Sequence, residues 1–116
     1  MKEVKAYIRT SYLEQTVKAL KDKGAPGITV VTVHPVGYGF EPHFTLSEVE
    51  ITKRYYDVTK IELVCDDEDL DKFVAAILDS AHTGASGDGL IFLSEVDEVV
   101  KIRTRKRGSL LAEVSE

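Results

Sequence analysis

Asp57-Val58-Thr59-Lys60-Ile61-Glu62-Leu63-Val64-Cys65, then Asp66-Asp67-Glu68-Asp69, then Leu70-Asp71-Lys72-Phe73-Val74-Ala75-Ala76-Ile77-Leu78, is the stretch that decides the fold. Its first segment alternates. Thr59, Ile61, Leu63 and Cys65 share one face, and Val58, Lys60, Glu62 and Val64 share the other, which is the period of a strand. Its last segment repeats at helical spacing, with Leu70, Phe73, Val74, Ile77 and Leu78 at i, i+3, i+4, i+7 and i+8. The four acids between them sit where the positive end of a helix dipole favours them. A short apolar strand, Leu90–Leu93, follows the helix and completes a β-α-β unit.

Toward the N-terminus the same plan recurs. Val4-Lys5-Ala6-Tyr7-Ile8-Arg9 alternates as a strand. Ser11 and Glu14 have capping-box spacing, and Leu13, Val17 and Leu20 then form an apolar helical stripe. Gly24, with Pro26 and Gly27, predicts the helix stop. Ile28 to Val33 is apolar on both faces and predicts a buried strand. From Pro35 to Tyr56 no period holds for roughly 20 residues, and a loop of that length is usually functional. The order β-α-β, long loop, β-α-β predicts an α+β, ferredoxin-like β-α-β-β-α-β sandwich. Two helices cover one sheet face only. Val30/Val31, Leu63/Val64 and Leu90/Ile91 nevertheless supply apolar side chains to both faces, so self-association is expected.

A chain of 116 residues, 43% hydrophobic and 30% charged, fits one globular domain spanning residues 1–116. No apolar run approaches the length of a membrane span, and the first residues lack a signal-peptide core. The lone Cys65 excludes an intrachain disulfide and fits a reducing, cytoplasmic setting. Net charge is −5, yet residues 101–107 carry +5, so the rest carries −10. That balance argues against general adhesion to nucleic acid.

Those cations follow a glycine-rich turn. His82-Thr83-Gly84-Ala85-Ser86-Gly87-Asp88-Gly89-Leu90 holds three of the eight glycines. Consecutive N–H groups in such a loop can form an anion nest. Downstream, a last strand is expected near Val99–Arg103, with Lys101, Arg103 and Arg105 on one face and Val100 and Ile102 on the other. A glycine loop plus a row of cations suits a phosphate-bearing small molecule. The plainer reading is a long polar turn and a solvated basic tail, with everything after Gly108 frayed. His34 and His43, with Glu41 between them, match no compact metal motif.

The run Thr83–Phe92, followed by Val100–Gly108, resembles the C-terminal signature of the PII nitrogen-regulatory signalling proteins. Met1–Arg9, Gly27-Ile28-Thr29-Val30, Gly37 and Lys60–Val64 also match that family's pattern, and the likeness covers nearly the whole chain. The resemblance implies a homotrimer of ferredoxin-like subunits that binds ATP or ADP between subunits. A regulatory binding protein, not an enzyme, is implied. It would act on a membrane transporter or enzyme through a T-loop at about Tyr38–Tyr55, with a glycine B-loop at 82–90 and a basic segment at 101–108. By the resemblance, Thr29, Glu62 and Val64 face the adenine and ribose. Gly87, Asp88 and Gly89 meet the phosphates through their backbone. Arg103 is a phosphate-binding arginine, Lys101 replaces a second one, and Gly37 is a T-loop-base glycine.

Departures from the pattern are specific. Leu90 replaces a phosphate-binding lysine, so ADP or AMP is expected to compete well with ATP. Tyr38 and Gly39 replace an arginine-glutamine pair, and Val58 replaces the lysine that pairs with 2-oxoglutarate, so that effector is not carried over. Ile51 replaces the tyrosine modified in some members. A PII-like sensor tied to metal or bicarbonate transport is an alternative that these losses favour. A single-stranded RNA-binding module of the same topology is another, but the strand carrying Ile61, Glu62 and Leu63 lacks base-stacking aromatics. A small phosphatase would need a positioned Arg-Asn pair, and the chain contains no Asn.

Overall fold

The computed structural model describes residues 1–35 and 58–115. Strand β1 (Lys2–Arg9) is followed by helix α1 (Leu13–Asp22) and strand β2 (Thr29–Thr32). Then come β3 (Val58–Cys65), α2 (Leu70–Ala81) and β4 (Leu90–Glu95). Four strands form one antiparallel sheet in the order β2-β3-β1-β4. Each β-α-β unit thus straddles a strand from the other unit, as a ferredoxin-like sandwich requires. A small hairpin, β5 (Val99–Val100) with β6 (Arg107–Gly108), extends from the end of β4. Among the described residues no helix is long and apolar enough to cross a membrane. The T-loop expected at 38–55, Gly37, Glu41, His43 and Ile51 lie outside the described residues.

Alternation in β3 is realised in the packing. Thr59, Ile61, Leu63 and Cys65 are all buried, facing the same side as Val4, Ala6 and Ile8 of β1. Leu20 from α1 and Phe73, Ala76, Ile77 and Ala81 from α2 close this core. The helices are joined by polar contact as well: the buried Thr16 hydroxyl meets the Ser80 hydroxyl at 3.0 Å, and Ser80 also donates to the Ala76 carbonyl at 2.7 Å. Cys65 is free and buried, and burial pushes its thiol pKa up, so it packs as an apolar residue. Helix α1 ends as expected. Gly24 has φ +86°, its N–H bonds the Lys21 carbonyl, and the Ala25 N–H reaches back to Leu20, the two bonds of a Schellman motif.

The open face of the sheet is mixed. Tyr7 and Phe92 meet edge to face with ring centroids 5.9 Å apart. Lys60 pairs with Glu62 at 2.9 Å along the same strand, not across strands, and this bond raises the Lys60 pKa.

Four expectations are corrected. Ser11 does not cap α1: Thr10–Tyr12 forms a 3-10 turn, and the helix begins at Leu13 without a side-chain cap. The Thr10 hydroxyl instead bonds Thr59 across the sheet at 2.7 Å. Strand β2 is an edge, and Val30 is 49% exposed because neither helix reaches over it. The final strand stops at Val100; residues 102–104 turn, and Arg105 takes φ +62°. Lys101, Arg103 and Arg105 therefore do not form a strand-face row. Among the described residues nothing covers the opposite face, where Ile102 is 94% exposed, so no apolar burial there holds that segment extended.

The segment after Gly108 is not frayed. Its Leu111 N–H donates to Asp66 Oδ1 at 2.9 Å, and Val114 is buried. Replacing Val114 by Ala is expected to destabilise the fold by about 1–2 kcal/mol in urea denaturation, from the two methyl groups withdrawn from the core. A frayed tail would give no change.

Candidate functional site

Three glycines, Gly84, Gly87 and Gly89, occupy positive φ between α2 and β4. The turn is shaped mainly by Asp88. Its Oδ2 accepts the backbone N–H of Thr83 and of Gly84, each at 2.8 Å, and its Oδ1 accepts the Thr83 hydroxyl. Arg9, at the end of β1, adds a bond from Nε to Oδ1 at 3.4 Å. Its Nη2 donates to the Ser86 carbonyl at 2.7 Å. At Gly87 a Cβ would stand 3.2 Å from Arg9 Nη2, at a φ of +96° that side chains resist. The hydrogen bond from Thr83, reinforced by the N–H groups and Arg9, holds the Asp88 pKa well below its ordinary 3.8. Asp88 is therefore a fixed acceptor that builds the loop, not an acid–base group.

A second locus lies toward the β2 edge of the sheet. Thr29, Glu62 and Val64 line one cleft of 320 Å³ together with Glu3, Pro26 and Leu111. The sheet register brings them there: Thr29 lies opposite Glu62, and Glu3 opposite Val64. Leu111 arrives because Asp66 anchors the C-terminal segment. This cleft is mixed, with Pro26, Leu63, Val64 and Leu111 as apolar lining and two carboxylates, Glu3 and Glu62.

The structure joins some expected site residues and separates others. Tyr7 pairs with Leu90 and Lys2 with Glu95, so the glycine loop enters β4 at the Arg9 end and the basic hairpin leaves it at the Met1 end. Those two ends are about 17–20 Å apart along a strand of this length. Asp88 and Glu62 are likewise separated, by two strand spacings, roughly 10 Å, across the sheet and further along it. Within one chain, Gly87, Asp88 and Gly89 therefore do not meet Lys101 and Arg103, nor Thr29, Glu62 and Val64. Arg9, Thr83, Pro26 and Leu111 escaped the sequence reading. Arg9 is 77 residues from Ser86 and 79 from Asp88 in sequence, and only the β1–β4 pairing brings them together.

Titration of the Asp88 carboxyl by NMR checks the loop geometry. Because the folded pKa is depressed, the stabilisation it brings is complete above the ordinary 3.8 and is lost only as pH falls through the lower folded value. Asp88 is expected to remain ionised at about pH 3, where an unpaired aspartate is mostly protonated. Gly87→Ala is expected to cost about 1–3 kcal/mol of loop stability, read as faster amide exchange at Thr83 and Gly84.

The sequence matches the family model described as "Nitrogen regulatory protein P-II" over residues 1–106. Nitrogen regulatory protein P-II 2 of Methanothermobacter thermautotrophicus is 43% identical, over 93% of this chain and 94% of its own. The P-II protein of Azospirillum brasilense is 36% identical over 93% and 96%. That of Nostoc punctiforme is 37% identical over 94% and 97%. With the α+β sheet order, the glycine turn and these likenesses agreeing along nearly the full length, the chain belongs to the P-II family of nitrogen regulatory proteins.

Proposed function

We propose that this chain is a cytoplasmic signal-transduction protein that binds an adenine nucleotide, ATP, ADP or AMP, at sites completed between copies in a homotrimer. Bound nucleotide would set its action on a transporter or enzyme through residues 38–55. The observation that carries this reading is the separation of the two half-sites. The cleft of Thr29, Glu62 and Val64 has no Lys or Arg among its lining residues. A nucleotide bound there needs its phosphates met by groups from elsewhere. A neighbouring copy supplies them when its Gly87-Asp88-Gly89 turn lies against this edge, with Lys101 and Arg103 of the hairpin closing on the same phosphates.

Exposed apolar side chains support such association. Val30 stands out on the β2 edge, and Leu90, Phe92 and Leu93 on the β4 edge. Edges with these residues uncovered invite pairing.

Leu90, in place of a lysine, takes away one charge-assisted contact, commonly worth about 1.5–3 kcal/mol. ADP and AMP then lose little relative to ATP. Val58, where a cation would hold 2-oxoglutarate, is apolar and 6% exposed. This buried valine favours a second reading, a P-II-like sensor for metal or bicarbonate transport that does without that dicarboxylate.

Calorimetry and sedimentation test the proposal together. The expected result is a trimer that binds ADP or AMP within about tenfold of ATP, unchanged by 2-oxoglutarate. Lys101→Ala with Arg103→Ala should weaken ADP about tenfold or more. A monomer at micromolar concentration, or unaltered affinity in the double variant, overturns the shared site. ATP preferred by about a hundredfold and tightened by 2-oxoglutarate overturns the altered specificity.

A further inference from the structure

The glycine loop presents a difficulty for any phosphate ligand. Residues 82–90 contain one acid, Asp88, and no Lys or Arg. An anion approaching the backbone of Gly87 and Gly89 meets a carboxylate and the Ser86 carbonyl oxygen, both of which repel it. Leu90 offers no charge to offset them and is 40% exposed.

Arg9 stands at this point. Its Nη2 holds the Ser86 carbonyl at 2.7 Å and its Nε reaches Asp88 Oδ1 at 3.4 Å. The guanidinium carbon would lie 3.5 Å from a Cβ on Gly87, so the cation rests directly against the loop's central glycine. The other carboxylate oxygen is already occupied by the Thr83 and Gly84 N–H groups. Between them these bonds engage both carboxylate oxygens.

We infer that Arg9 is the positioning residue that converts this acid-bearing glycine loop into a phosphate acceptor. The inference rests on the nucleotide reading above. Arg9 acts through the loop: it offsets the charge of Asp88 and pins the Ser86 carbonyl, so that the backbone of Gly87 and Gly89 can meet an anion. Two acceptors on different residues are spanned by one planar group, which a lysine ammonium does not do. The same side chain provides the positive charge that position 90 lacks.

The test compares ADP with adenosine by calorimetry on the full chain, Arg9→Gln and Arg9→Lys. Arg9→Gln should weaken ADP by about tenfold to a hundredfold and leave adenosine unchanged, because only the phosphate end depends on the loop. Arg9→Lys should recover only part of that loss. Three results overturn the inference: wild-type ADP affinity in Arg9→Gln, equal loss of ADP and adenosine, or full rescue by Arg9→Lys. If Arg9→Gln does not fold, Arg9→Lys decides alone. Failure of the unaltered chain to bind ADP is a separate result; it overturns the nucleotide reading, and this inference with it.

Discussion

The pairing of β1 with β3, continuous from Lys2 opposite Cys65 to Arg9 opposite Val58, is the constraint on which the molecule depends. It puts Val4, Ala6, Ile8, Ile61, Leu63 and Cys65 on one face, beneath both helices. A slip of one residue would turn that whole set toward the open side. It also fixes where everything else ends up. Because β1 is central, its last residue, Arg9, borders the glycine loop while Glu3, near its other end, lines the cleft.

The acids show how local signals are put to tertiary use. Asp66 to Asp69 read as residues favoured by a helix dipole, yet Asp66 and Asp69 make no side-chain cap at their helical turns. Asp66 instead anchors the chain at Leu111, Asp67 lies 3.2 Å from the Met1 amino group, and Asp69 pairs with Lys72 at 3.3 Å. Surface ion pairs such as the last contribute little to stability. The Asp66 bond matters more for where it leads: it sets Leu111 into the wall of the cleft. Asp88 follows the same logic, since its oxygens are committed to shaping a turn.

The distribution of site residues is the physical reason for proposing association and binding together. A sheet four strands wide keeps its two edges apart, so groups on opposite edges cannot converge on one small molecule. The same edges carry the uncovered apolar side chains. In the proposed assembly, a contact between copies that buried those residues would also bring the two half-sites face to face.

The sequence by itself determined the periodic elements, since strand and helix periods are local and strong in 58–65 and 70–78, and the stop at Gly24, where positive φ is needed. It also determined the family, through the glycine turn and the basic run. Only the tertiary structure decided that β2 lies at an edge, that the basic run forms a hairpin tip, and that Val114 is buried. Those outcomes depend on which strands become neighbours and which faces the helices reach, and no local pattern encodes that. Arg9 shows the limit most clearly: as a residue it is an ordinary cation at the end of a strand, and it becomes part of the loop only because β1 lies beside β4.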